Sequence, residues 1–258
     1  MKEYPPRIEV VGSPGAVAER AVAIVIAELR DRQPVTLGLA TGATMTPFYA
    51  RLVAAARAGL ISFHAASSFN LDEYVGIAPQ SRGSFHAYMQ EHLFRHVDMP
   101  ADRARIPDGM AYDVATEATR YEAQIAAAGG IDLLLLGIGT NGHIGFNEPG
   151  SDFASRTREI RLDEATRIAN AGDFPDRASV PRRAITMGIA TILHAKRILL
   201  IATGPEKAAA VAAAIEGPIG TACPASALRL HGNVDVLCDE SAATALIDRP
   251  HTNDRRRA

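Results

Sequence analysis

Short apolar runs alternate with longer, amphipathic, alanine-rich segments along the chain, the pattern of strand–helix–strand units around a mostly parallel sheet. Ser13-Pro14 supplies an N-cap and a first helical position, and predicts a helix that ends near Arg30. Val35 to Ala40 reads as a strand, Thr41 to Thr44 as a tight loop, and Pro47 to Ala58 as the next helix. Ser67 to Leu71 is a second strand, running straight into Asp72-Glu73-Tyr74. Ser84 caps a helix to about His96, and Asp113 to Ala128 forms another. Ile131 to Leu136 is the most apolar strand and lacks polar alternation, as expected of a central strand covered on both faces. Ile198 to Ala202 is a further buried strand, followed by a helix from Pro205 to Glu216 and a last strand at Val234 to Leu237. No linker or repeat interrupts the pattern, so it predicts one doubly wound α/β domain over residues 1–247. The polar tail from Asp248 to Ala258, ending in Arg255, Arg256 and Arg257, reads as a solvated, frayed end.

Composition narrows the classes of function. The chain has 258 residues, 47% hydrophobic and 22% charged, enough to bury a core and ordinary for a globular protein. Its net charge of −2 and scattered basic residues give no nucleic-acid or membrane-surface footprint, so any anion must be bound locally. No apolar run approaches a membrane span and the first residues lack an apolar leader, which makes the cytoplasm the expected compartment. Cys223 and Cys238 have neither metal nor redox spacing. Self-association leaves no readable mark, so a homo-oligomer remains open.

In open parallel sheets, ligands sit beyond the carboxyl ends of the strands. Gly137-Ile138-Gly139-Thr140-Asn141-Gly142 follows a strand there and matches a dinucleotide fingerprint, which requires a helix to begin inside the motif. The next residues, His143 to Gly150, contain two glycines, an asparagine and a proline, which oppose a helix. Asp163 and Glu164, the nearest acids downstream, lie in a polar stretch with no strand leading to them. The segment makes better sense as a loop holding catalytic side chains. His143 and Glu148 can fold back on each other, and a carboxylate beside an imidazole fixes its tautomer and raises its basicity. Alone, the histidine could equally satisfy backbone groups in a turn.

Asp72 and Glu73 end an apolar strand, where partial desolvation can raise a carboxyl toward a useful range; alternatively one of them caps a turn. Thr41, Gly42, Ala43 and Thr44 offer two hydroxyls and free N–H groups at a helix N-terminus, which suits a phosphate. Thr203-Gly204 repeats the Thr-Gly strand ending, and Lys207 lies in the first turn of the helix it opens. A cation there opposes the helix dipole, which hints that it serves an anion. A solvated surface lysine is the plainer reading.

Taken together, Leu39 to Thr44, Phe69-Asn70-Leu71-Asp72-Glu73-Tyr74-Val75-Gly76 and Gly139 to Pro149 resemble the glucosamine-6-phosphate deaminase family. Ala154 to Arg158 and Ala184 to Gly188 extend the likeness, which covers about Val35 to Glu240. The resemblance implies a Rossmann-like fold and the conversion of glucosamine 6-phosphate to fructose 6-phosphate and ammonia. It implies Asp72 as the base at C2, His143 as the ring-opening proton shuttle, Glu148 as its partner, and Asn141 as the third member of that set. Thr41 to Thr44 and Lys207 would hold the phosphate, and no metal or organic cofactor is implied.

Three departures from the family pattern stand out. Some members carry Asp where this chain has Asn141. Gly172 stands where many have a phosphate-binding arginine, for which Arg167, Arg177 or Arg182 would have to substitute. Ile160 replaces a lysine of the effector site of hexameric members and the chain ends early relative to them, so no such activation is expected, although Ser151 and Arg158 remain in place. Related classes are a galactosamine-6-phosphate enzyme, the 6-phosphogluconolactonases and a non-enzymatic sugar-phosphate sensor. The lactonases usually lack Phe146-Asn147-Glu148-Pro149 and have arginine at Tyr74. A sensor would need a helix-turn-helix, whereas the residues before the strand at Val35 hold a single helix.

Overall fold

The computed structural model describes residues 2–31 and 34–247; the tail from Asp248 lies outside the described residues. Among the described residues, ten strands are interspersed with seven α-helices. The strands are β1 (Arg7–Val11), β2 (Val35–Leu39), β3 (Ala66–Asn70), β4 (Asp72–Tyr74), β5 (Ala104–Arg105), β6 (Leu133–Leu136), β7 (Arg158–Arg161), β8 (Arg183–Thr186), β9 (Arg197–Ala202) and β10 (Val234–Asp239). The helices are α1 (Pro14–Asp31), α2 (Thr46–Arg57), α3 (Phe85–His92), α4 (Val114–Ala127), α5 (Glu164–Ala169), α6 (Ile189–Leu193) and α7 (Ala208–Ile215).

Seven strands form one parallel sheet in the order β1-β10-β9-β6-β2-β3-β5. All four leucines of β6 are fully buried and every residue of β2 is buried, so helices cover both faces of the sheet centre. Truncating such a leucine to alanine costs about 2–5 kcal/mol. Capping follows the sequence: Ser13 Oγ accepts from Ala16 N at 3.2 Å, and Asp113 Oδ1 from Ala115 N at 3.0 Å. The chain runs outward from β2 through β3 to β5, then returns to the other side of β2 as β6 and continues outward to β9 and β10. The order therefore reverses between β2 and β6, which opens a crevice at their carboxyl ends.

Several features depart from the sequence expectations. A strand precedes α1, because Arg7–Val11 pairs in register with β10 at the sheet edge. The second strand does not run on into Asp72. Leu71 N still reaches Leu39 O at 3.1 Å, but Asp72–Tyr74 leaves the main sheet and pairs antiparallel with β8. With β7 this makes a second sheet, β4-β8-β7, which packs a separate core of Tyr74, Ile77, Phe146, Leu162 and Ala184. A strand, β7, does lead to Asp163 and Glu164, but it belongs to this antiparallel sheet and not to a strand–helix–strand unit of the main one. The helix capped by Ser84 ends at His92, before a separate 3-10 turn, and the segment from Pro205 begins as a 3-10 turn.

Candidate active site

Asp72 sits at the seam between the two sheets. Met187 N donates to Leu71 O at 2.7 Å and Asp72 is in register with Thr186, so the end of β8 holds the end of β3 from the side. The carboxyl is buried, and burial, with the neighbouring Glu73 charge adding to it, pushes its pKa up to about 8. Glu73 takes the blander of its two roles. Its carboxylate accepts from Tyr74 N, Ser84 Oγ, Phe85 N and His86 N, and so caps α3.

The loop after β6 is knitted by its own hydrogen bonds. Gly139 N donates to His143 O at 2.9 Å, Gly142 N to Gly139 O at 3.0 Å, and His143 N to Asn141 Oδ1 at 3.2 Å. No helix begins inside the motif. Its glycines serve the histidine: a Cβ on Gly139 would lie 2.4–2.6 Å from the His143 ring atoms, so only glycine lets the imidazole rest there. His143 Nδ1 lies 3.3 Å from Glu148 Oε2, which also accepts from Asn141 Nδ2 at 2.8 Å, while Thr166 of α5 donates to Oε1. Burial pushes the Glu148 carboxyl up, but the bonds from His143, Thr166 and Asn141 outweigh it and hold the pKa below the usual value. The site thus contains one carboxyl held neutral and one held ionised, a separation that assigns different proton duties.

The loop docks against the second sheet, which brings it to Asp72. Phe146 N donates to Thr186 Oγ1 at 3.1 Å, and Asn147 Nδ2 to Met187 O at 2.8 Å. At Gly145, two residues from His143, the Cβ position lies 3.1 Å from Thr186 Oγ1 and 3.4 Å from Asp72 Oδ2. The Asp72 carboxyl and the His143 imidazole therefore flank the same short stretch of backbone.

Thr41 to Thr44 follow β2, and Gly42 has a φ of 105°, a conformation that favours glycine. The N–H groups of Gly42, Ala43 and Thr44 donate to nothing among the described residues. Lys207 lies in the 3-10 turn Pro205–Lys207 just before α7, where the sequence had placed it within the helix. Its half-buried ammonium makes no salt bridge among the described residues, and burial lowers its pKa. The four loops carrying Lys207, His143, Thr41 to Thr44 and Asp72 leave the carboxyl ends of β9, β6, β2 and β3. These are neighbours in the sheet, so the row spans about 14 Å at roughly 4.8 Å per step.

Of the arginines that would replace one at Gly172, Arg167 pairs with Glu164 and the carbonyls of Arg177 and Val180, and Arg177 also binds Glu164. Arg182 lines a separate cavity of about 380 Å³ with Arg161 and Arg167. Gly172 itself has open space at its Cβ position. Sequence reading missed Thr166 and Thr186, which hold Glu148 and the loop backbone; nothing in their local pattern marks them, because both reach the site from the second sheet and its connections. Among the described residues no three His, Cys, Asp or Glu side chains converge as metal ligands would.

Residues 14–237 match the family described as glucosamine-6-phosphate isomerases/6-phosphogluconolactonase. A glucosamine-6-phosphate deaminase of Rhodopirellula baltica is 48% identical over 242 residues, 94% of this chain and 96% of that protein. One from Bacillus velezensis is 48% identical over 227 residues, covering 88% and 94%. Among solved structures, a monomeric glucosamine-6-phosphate deaminase superposes with a TM-score of 0.91 at 43% identity, over 93% of this chain and 99% of that one. A 6-phosphogluconolactonase of Leishmania guyanensis, at 20% identity and a TM-score of 0.76 over 95% of this chain and all of its own, shares the fold. With its parallel seven-stranded sheet and four motif-bearing loops along one edge, the chain belongs to the glucosamine-6-phosphate isomerase/6-phosphogluconolactonase family.

Proposed function

We propose that the chain is a glucosamine-6-phosphate deaminase, converting glucosamine 6-phosphate and water to fructose 6-phosphate and ammonia. The observation that carries this is the packing of Asp72 against the backbone of the His143–Glu148 loop, in a family whose relatives at nearly half identity are such deaminases. The phosphate sits on the N–H groups of Gly42, Ala43 and Thr44, with the Thr41 and Thr44 hydroxyls and the Lys207 ammonium beside it. Backbone donors at a helix N-terminus favour a negative charge, and a lysine that makes no salt bridge among the described residues supplies the counter-charge.

His143, oriented by Glu148 and Asn141, moves the proton between the ring oxygen and the C1 hydroxyl as the ring opens. Asp72 in its ionised form removes the proton from C2 of the open aldehyde while O1 takes up a proton given by the substrate's own 2-ammonium group, giving an enol-amine, and the Asp72 carboxylic acid then returns its proton to C1. The C2 imine so formed adds water and expels ammonia, leaving the ketose. A placed general base typically contributes about 10²–10⁴-fold in rate.

With a pKa of about 8, Asp72 is ionised in roughly one-tenth of molecules at pH 7, so kcat/KM rises with pH through about 8 before other groups intervene. The stability effect has the opposite sign. The unfolded carboxyl ionises near 3.8 while the folded one stays protonated to about 8, so the fold loses stability as pH rises across that window.

The test is to incubate the purified protein with glucosamine 6-phosphate and measure ammonia and fructose 6-phosphate. Asp72→Asn lowers kcat by about 10³-fold or more with substrate binding retained, and raises Tm more at pH 8 than at pH 4. Preferential turnover of galactosamine 6-phosphate or 6-phosphogluconolactone would move the assignment to those substrates, and binding without turnover would make the chain a sensor.

A further inference from the structure

Two tyrosines grip the anion loop from behind. Tyr49 of α2 donates to Ala40 O at 2.6 Å, and Tyr88 of α3 donates to Gly42 O at 2.9 Å. The Thr46 hydroxyl lies 3.1 Å from the Tyr88 oxygen and donates to it, since the single phenolic proton is engaged with Gly42. Burial pushes the Tyr88 phenol up to about 12, so it remains a donor at every pH where the enzyme is folded and active. Its ring is fixed by His92 at 4.3 Å and Tyr49 at 6.2 Å between centroids.

A trans peptide is planar, so its C=O and the following N–H point in opposite directions. Turning the Gly42 carbonyl toward α3 therefore turns the Ala43 N–H away from it, toward the outer side of the loop. Two donors restrain this carbonyl: Met45 N reaches it at 3.0 Å within the turn, and the Tyr88 hydroxyl adds a bond from outside, at a residue whose positive φ and missing side chain leave it many alternatives. The helix that supplies the restraint is itself tied to the base strand. Glu73, adjacent to Asp72, takes the N–H groups of Phe85 and His86, one turn before Tyr88. The helix α3 thus spans from the base to the anion loop as a short rigid strut.

We propose that Tyr88 is a positioning residue for phosphate binding, which holds the Gly42 carbonyl so that the Ala43 N–H faces the substrate's phosphate. The inference rests on the deaminase reading for its substrate, but the anion loop can be tested without that reading. Tyr88→Phe keeps the ring and its stacking while deleting the donor.

Steady-state kinetics with glucosamine 6-phosphate are expected to show KM raised about three- to tenfold with kcat within about twofold. Competitive inhibition by inorganic phosphate weakens by the same factor. A merely structural role would lower the melting temperature without separating KM from kcat. Unchanged KM and phosphate inhibition overturn the proposal, as does a loss confined to kcat. Direct calorimetric titration of inorganic phosphate into wild type and Tyr88→Phe separates the two readings. If wild type releases no ammonia yet binds phosphate more tightly than the variant, the deaminase assignment falls and the role of Tyr88 stands.

Discussion

The loops after β6 and β2 leave the same sheet edge as neighbours, yet they treat their polar groups in opposite ways. After β6, the N–H groups of Gly139, Gly142, His143, Phe146, Asn147 and Glu148 all donate within the loop or to Thr186. After β2, the N–H groups of Gly42, Ala43 and Thr44 donate to nothing among the described residues, while Tyr49 holds the Ala40 carbonyl and Tyr88 with Met45 N holds that of Gly42. A loop tied largely to itself is stiff and can hold an imidazole and a carboxylate at fixed spacing. An unsaturated one, pinned from behind, keeps its donors for an incoming anion. In the proposed reaction, catalysis and binding are thus divided between a loop that largely satisfies itself and one that does not.

That separation can be broken in graded ways. The largest effect belongs to Gly139→Ala, whose methyl would lie 2.4–2.6 Å from the imidazole and must displace it. A shift of about 1 Å at a catalytic group costs on the order of 10²-fold, so kcat falls that far while KM barely moves, a split that steady-state assays read directly. Lys207→Met should produce the converse: KM raised about 10- to 100-fold, the range of a lost charge-assisted hydrogen bond, with kcat within a few-fold. Equal losses in both constants would contradict the division. The smallest effect is a gain. Gly172, where the family resemblance would place a phosphate-binding arginine, has open space at its Cβ position. Gly172→Arg should lower KM about two- to fivefold, with a steeper salt dependence of binding.

How much of this the sequence disclosed depends on where each residue's partners lie. β6 and the core of β9 were visible because central parallel strands are continuously apolar, β2 and β10 because apolar residues surround Thr36 and Asp235, and α1 and α4 because Ser13-Pro14 and Asp113 are local caps. The second sheet was invisible for the same kind of reason. Arg158–Arg161 alternates half-buried and exposed residues over only four positions, and Arg183–Thr186 begins with an exposed arginine, so neither stands out from a loop. β1 was overlooked because its edge position leaves Arg7 and Glu9 exposed among apolar neighbours.

The candidate site divides in the same way. His143 and Glu148 are five residues apart and their pairing was legible from spacing; that Asp72 meets their loop depends on β4 leaving the main sheet, which no local signal announces. Tyr88 and Thr166 act across long sequence separations and were seen only in the fold. Equally, the glycines of the dinucleotide-like motif could be excluded as a pyrophosphate site from context, but their service to the His143 ring needed coordinates.

The most direct test of the account is a crystal structure of Asp72→Asn soaked with glucosamine 6-phosphate. The account predicts the phosphate on the N–H groups of Gly42, Ala43 and Thr44 with Lys207 alongside, C2 of the sugar facing residue 72, and the C1 end at His143. A sugar seated elsewhere, or one with its phosphate turned toward the His143 loop, would contradict it.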